Sequence, residues 1–100
     1  MTTVDLEHIL SLLDSTITEC QRQSVLGSSR ALVELIASLN FSDRDLATHL
    51  FRVYSYCLRM VKSHNFDIAK NILAELHTVM SDKLTTLRSS KVPNDGTLSI

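Results

Sequence analysis

Residues 34–76 include the segments ELIASLN (34–40), DLATHLFRVYSYCLRMV (45–61) and HNFDIAKNILAEL (64–76). Apolar residues recur in each segment at spacings of three and four, which is the period of one face of an α-helix. The first boundary carries helix-end signals: Asn40 suits a C-cap, and Ser42 suits an N-cap with Asp45 three positions later, as in a capping box. Phe41 and Leu46 are placed to form a hydrophobic staple across that cap. The pattern therefore predicts consecutive helices joined by short connections.

The same period extends in both directions from this region. It predicts a first helix from near Val4, a second over about 24–39, a third over about 43–63 and a fourth capped by Asn65. The polar run at 19–24 is expected to hold the first break. Because that run contains neither Gly nor Pro, one continuous kinked helix is an alternative.

Composition bounds the fold class. The chain has 100 residues, of which 44% are hydrophobic and 21% charged, with two glycines and one proline. This length suits one domain, and the scarcity of turn-forming residues disfavours short strands. We expect an all-α protein, an antiparallel up-down bundle of about four helices, over residues 1–88. Turn-forming residues cluster at 93–96, so residues 89–100 are expected to be a flexible C-terminal tail.

Charge and targeting signals favour a cytoplasmic protein. The net charge of −1 does not indicate nucleic-acid binding. No apolar run approaches the roughly 20 residues that a membrane-spanning helix needs. Asp5 and Glu7 stand where a signal peptide would be basic. Two cysteines do not form a disulfide framework.

Residues with catalytic or metal-binding chemistry do not form a recognisable group. No two histidines share a helix at a spacing of three or four, so neither a local metal site nor a cofactor is predicted. Cys20 and Cys57 fall on apolar faces, where a buried thiol is the simpler interpretation. Enzymatic activity is therefore not expected. The histidines lie at His8, His49, His64 and His77.

Polar and aromatic side chains of the third helix allow two further interpretations. The basic residues at 52, 59, 62 and 70 are interpreted as a solvated helix edge rather than a nucleic-acid site. Tyr54 and Tyr56 are two residues apart and so point to different sides of the helix. One can enter the core while the other remains near the surface, available to a partner.

Several segments together resemble a known family. ELIASL at 34–39 is similar to an E-L-x-x-S-L element, and LATHLFRVYSYC at 46–57 to an L-A-x-N-L-x-x-L-Y-x-Y-M element. NFD at 65–67 is similar to the N-D segment before the last helix, and 7–17 agrees in part with the first helix. These elements are those of the flagellar secretion chaperone family FliS. The chain resembles a divergent, N-terminally short member.

This resemblance implies a cytoplasmic export chaperone that binds the C-terminal helical region of flagellin and prevents premature polymerisation. The flagellar export apparatus is a second implied partner. Apolar grooves that the helices leave uncovered would hold the client's amphipathic segments. The expected partner contacts are apolar residues of the first and third helices, with burial in the intramolecular core as the alternative for each. They are Ile9, Leu13, Leu50, Tyr54 and Leu58.

The residues themselves are also compatible with two other functions. The bundle could be an adaptor or regulator that acts through homo- or hetero-dimerisation of the same apolar surface. A small metal-dependent enzyme is the third and weakest alternative.

Overall fold

The computed structural model describes residues 3–39 and 44–90, and within these ranges every regular element is a helix. The helices are α1 (Thr3–Gln21), α2 (Val25–Ala37), α3 (Arg44–Lys62) and α4 (Phe66–Ser90). Each packs against its neighbours in the order α1–α2–α3–α4, and α4 closes the ring by packing on α1. Connections this short between neighbouring helices give an antiparallel up-down bundle. The predicted all-α fold class is confirmed.

The first break falls where the polar run predicted it. Ser24 is the N-cap of α2, with φ −93° and ψ 110°, and its hydroxyl accepts a hydrogen bond from the Gly27 amide at 2.9 Å. Gly27 therefore lies in the capped first turn of α2. The side chain of Glu19 in α1 occupies the space that a Cβ at Gly27 would need. A glycine here leaves room for the Glu19 carboxylate against the first turn of α2.

The α1–α2 connection is a tight left-handed turn. Gln23 has φ 57°. Its amide donates to the Cys20 carbonyl at 3.0 Å, and the Ser24 amide donates to the Glu19 carbonyl at 3.2 Å. This pair of bonds is the Schellman arrangement, which satisfies carbonyls left open at a helix end. A non-glycine residue therefore occupies a position that favours glycine.

The α3–α4 connection repeats the same arrangement. His64 has φ 64°. Its amide donates to the Val61 carbonyl at 2.9 Å, and the Asn65 amide donates to the Met60 carbonyl at 2.7 Å. The His64 ring also meets Phe66 edge-on, with centroids 5.9 Å apart. Both turns lie at the same end of the bundle and reverse the chain within three residues.

The predicted boundary at 40–43, with its capping box and staple, lies outside the described residues. At the C-terminal end, α4 continues through residues 89 and 90, which the predicted domain limit assigned to the tail. No helix-breaking residue occurs before Pro93, so the local sequence gives α4 no reason to stop at 88. The remainder of the predicted tail, 91–100, lies outside the described residues.

One continuous apolar cluster fills the space between the helices. Thr16 is also fully buried, and its hydroxyl donates to the Leu12 carbonyl at 2.7 Å. Ala47 of α3 also lies in the core. The cluster's buried members are Leu6, Ile9, Leu13, Cys20, Leu32, Leu35, Leu50, Tyr54, Cys57, Val61, Phe66, Ala69, Leu73, Met80 and Leu84.

Replacing Gln23 by Gly is expected to stabilise the fold by about 0.5 to 1 kcal/mol, because removal of Cβ relieves the cost of the left-handed backbone. Urea denaturation followed by helical circular dichroism measures the change. Gln21→Gly is the matched control. Gln21 is in the last turn of α1, so there glycine is expected to cost up to about 1 kcal/mol. Equal destabilisation by the two substitutions would contradict the assigned turn.

Candidate partner-binding surface

Most of the predicted partner contacts belong to the core. Leu13, Leu50, Tyr54 and Ile9 are buried, while Leu58 is half-buried and packs against the edge of the same cluster. The structure therefore brings these residues together, as the intramolecular alternative expected. While the bundle is closed, a partner reaches Leu58 but not the other predicted contacts.

A different set of large apolar side chains faces solvent. Leu26 is 64% exposed and Val79 is 62% exposed, although both belong to well-formed helices. An exposed apolar residue is ordinary when isolated, so the arrangement of the set decides its meaning. Its members are Leu26, Val33, Phe51, Tyr56, Ile68 and Val79.

Contacts between helices fix how α1 and α4 are rotated. The Nε2 atom of His77 in α4 lies 3.0 Å from Oδ1 of Asp14 in α1. This exposed pair adds little stability, but it shows which flank of each helix faces the other. The opposite flank of α4 must then face α3. At 100° per residue, Ile68, Ile72 and Val79 lie on that opposite flank.

The flank of α2 that faces α1 is also identified by a contact. Gly27 lies against Glu19 of α1. With Leu32 facing the core and 100° between successive residues, Leu26 and Val33 lie on the flank of α2 opposite to Gly27. These exposed residues therefore lie on the side of α2 that faces α3.

The two flanks of α3 follow from its direction in the bundle. In α1, Asp14 follows the core-facing Leu13 and points towards α4, the preceding helix in the ring. Because α3 runs parallel to α1, Ser55, which follows the core-facing Tyr54, points towards its own preceding helix, α2.

Phe51 and Leu58 lie on this same flank, between the direction of Ser55 and the core. The opposite flank, towards α4, carries Val53 and Met60, with Tyr56 at its outer edge. The Arg59 guanidinium stands over the Tyr56 ring, 5.6 Å from its centroid.

Two apolar surfaces result, one on each side of α3. We call Leu26, Val33, Phe51 and Leu58 the α2–α3 strip. We call Tyr56, Ile68, Ile72 and Val79 the α3–α4 strip. Each strip combines exposed side chains with half-buried ones that join it to the core.

Apart from Leu58, the strip residues are not among the contacts predicted from the sequence, because those contacts were taken from one apolar stripe per helix. Leu26 and Val33 are seven residues apart, as are Phe51 and Leu58. A second apolar row with the same helical register, displaced from the core row, was the available signal. Which flank of a helix remains open depends on its neighbours, and a single helix does not carry that information.

The titratable groups near the core favour packing rather than chemistry. Burial raises the pKa of the Cys57 thiol to about 12, and the nearby Cys20 thiol adds to the rise. Burial also raises the pKa of Cys20, which the neighbouring Ser28 hydroxyl partly opposes. The Tyr54 pKa is raised to about 12, again mainly by burial. Thiols of this kind stay protonated at neutral pH and are poor nucleophiles.

Other kinds of site find little support among residues 5–39 and 44–87. No group of three or more His, Cys, Asp or Glu side chains within that part of the chain could hold a metal ion. A shallow hollow at the turn end is lined by Gln23, the 64–67 segment and Ile68. Within the described helices, none is long and apolar enough to cross a membrane.

In comparisons with known proteins, no family model, no curated protein and no solved structure matches the chain. The function therefore has to be inferred from the surface itself and from the sequence motifs.

Leu50 and Phe51 are adjacent and test the assigned rotation of α3. Leu50→Ala should destabilise the bundle by about 2 to 5 kcal/mol, because it leaves a cavity in the core. Phe51→Ser should cost less than about 1 kcal/mol, since that ring is already half in water. Urea denaturation of both variants measures the difference. Equal losses would show that the flank of α3 is misassigned.

Proposed function

We propose that this protein is a non-enzymatic chaperone that binds the C-terminal helical region of flagellin before its export. The single observation that carries the proposal is the pair of apolar strips left open on the two sides of α3. Buried core residues position α3, and the strips are the apolar surface that stays accessible to a ligand. The motifs at 34–39 and 46–57, which resemble the flagellar secretion chaperones, direct the choice of ligand.

The dimensions of the strips suit a helical ligand. The helix α3 has 19 residues. At a rise of 1.5 Å per residue, such a helix is about 28 Å long, enough for five turns of a partner helix. An amphipathic segment lying beside α3 would bury its apolar face against either strip, in the manner of helix-in-groove recognition. A longer segment that occupied both strips would wrap around the exposed side of α3.

The physical benefit to the client is protection of its apolar surface. A segment that is unfolded before assembly exposes apolar side chains and pays an ordering cost when it binds. Burial of those side chains on the strips would offset that cost and keep the segment from pairing with other copies. Such binding needs no cofactor and no catalytic group. The cytoplasm, where export begins, and contact with the flagellar export apparatus are parts of the same proposal.

The proposal changes the set of contacts expected from the sequence. Leu58 is retained because it belongs to the α2–α3 strip. Ile9, Leu13, Leu50 and Tyr54 act indirectly, because their burial sets the rotation of α1 and α3. The ligand is instead held by side chains on the open flanks.

Co-purification with a flagellin C-terminal fragment tests the proposal. The unmodified chain should bind that fragment at micromolar concentration. The double variants Val33→Ser/Phe51→Ser and Ile68→Ser/Val79→Ser, one in each strip, should each weaken binding by roughly tenfold or more, since about 1.4 kcal/mol corresponds to tenfold. Isothermal titration calorimetry measures the affinities, with circular dichroism to show that each variant is folded.

Ser11→Ala/Ser15→Ala is the matched control, because both serines are exposed on α1, away from the strips. This variant should bind like the unmodified chain. No binding at micromolar concentration would refute the chaperone function. Light scattering of the free protein distinguishes the chaperone function from the alternative of an adaptor that dimerises. A stable dimer that dissociates only in the strip variants would favour the adaptor.

A further inference from the structure

The two strips differ in the charges around them. The α2–α3 strip is bordered by exposed basic side chains on both helices, and among the described residues the acidic side chains near it are fewer, namely Glu34 and Asp45. The basic residues are Arg30 on α2 and Arg44, Arg52 and Lys62 on α3, whereas Arg59 stands over Tyr56 of the other strip.

The rest of the bundle does not share this bias. The helix α1 carries only acidic charges, with Asp14 on its α4 flank and Glu19 on its α2 flank. Beside the α3–α4 strip, α4 presents Glu75 and Asp82 together with Lys83, so the charges there are mixed. The net charge of −1 therefore conceals a segregated surface with one basic-bordered apolar strip. Of the basic residues predicted to form a solvated helix edge, Arg52 and Lys62 border that strip, whereas Lys70 lies on the flank of α4 that faces α1.

We propose that the α2–α3 strip binds an amphipathic helix whose apolar stripe is flanked by aspartate or glutamate. This inference rests on the proposed function in taking a helical segment as ligand, and it adds the face and the charge of that ligand. Guanidinium groups at the border can reach carboxylates on both sides of a helix seated on the strip. The same groups would repel a helix with basic flanks.

The spacing of the strip fits such a ligand. Leu26 and Val33 on α2, and Phe51 and Leu58 on α3, each repeat after seven residues, which is about 10.5 Å along a helix. A ligand helix with apolar residues at i, i+3 or i+4, and i+7 has the same repeat. Arg30 lies between Leu26 and Val33 in sequence and borders a shallow hollow with Ser29, Val33 and Glu34.

Designed peptides test the inference without any flagellin sequence. Three helical peptides share one apolar stripe and carry Glu, Gln or Lys at all flanking positions. Fluorescence anisotropy with the full chain should show the Glu peptide binding about tenfold more tightly than the Gln peptide at low salt, and the Lys peptide most weakly. The preference should shrink at high salt, because ions screen exposed charges beyond about 10 Å at 0.1 M.

Charge-reversed variants locate the effect. Arg30→Glu/Arg52→Glu should remove or invert the preference for the Glu peptide. Lys83→Glu, a matched reversal on α4, should leave the preference intact. Phe51→Ser should weaken all three peptides alike, because it removes apolar contact and no charge.

Equal affinity for the Glu and Lys peptides, or an equal effect of Lys83→Glu, would overturn the inference. Self-association that excludes all three peptides, detected by light scattering, would also overturn it and would identify a second copy as the occupant. Failure of the proposed function is distinguishable. A chain that binds the Glu peptide but no flagellin fragment keeps this inference and refutes the flagellin ligand. A chain that binds the flagellin fragment but shows no preference among the three peptides keeps the proposed function and refutes this inference.

Discussion

The burial of one row of α3 is the constraint on which the rest of the structure depends. Leu50, Tyr54, Cys57 and Val61 lie on one face at spacings of three and four, and all are almost completely removed from water. Rotating α3 by a single residue, 100°, would bring part of this row into water and drive polar side chains inward. The rotation is thus fixed by apolar burial, and the directions of the two flanks follow from it. Phe51 and Tyr56 are exposed because the row between them is buried.

The turns at one end of the bundle hold α3 and its neighbours in place. The residues Gln23 and His64 adopt left-handed backbones so that the chain reverses within three residues, and Ser24 and Asn65 begin the next helices at once. Such short turns leave little freedom for neighbouring helices to slide along each other. Because one of these turns joins α3 to α4, the α3–α4 strip has a defined register. A preformed surface of this kind loses less entropy on binding than a surface that must first be ordered.

Much of this fold could be predicted from local sequence patterns. The period of three and four identified the core rows, and the polar run at 19–24 located a break that neither Gly nor Pro marked. The predicted domain limit at 88 falls within α4, because turn-forming residues begin only at Pro93 and the intervening serines do not stop a helix. The residues of the two open strips were harder to predict. Leu13 and Phe51 are both large and apolar, and only the position of the neighbouring helices makes the first buried and the second open. The uneven distribution of charge was similarly difficult to predict, because the net charge of −1 sums an acidic α1 and a basic α3.

The proposed function requires a helical ligand to bind to the open flanks of a bundle that stays closed. Methyl NMR spectra recorded while a flagellin C-terminal fragment is titrated in test this requirement most directly. We expect the methyl signals of Leu26, Val33, Ile68 and Val79 to shift, while those of the core residues Leu13 and Leu50 stay near their free positions. Largest shifts at Leu13 and Leu50 would mean that the ligand opens the core, and an unchanged spectrum would mean that the strips hold no such ligand. Either result would refute binding to the open flanks.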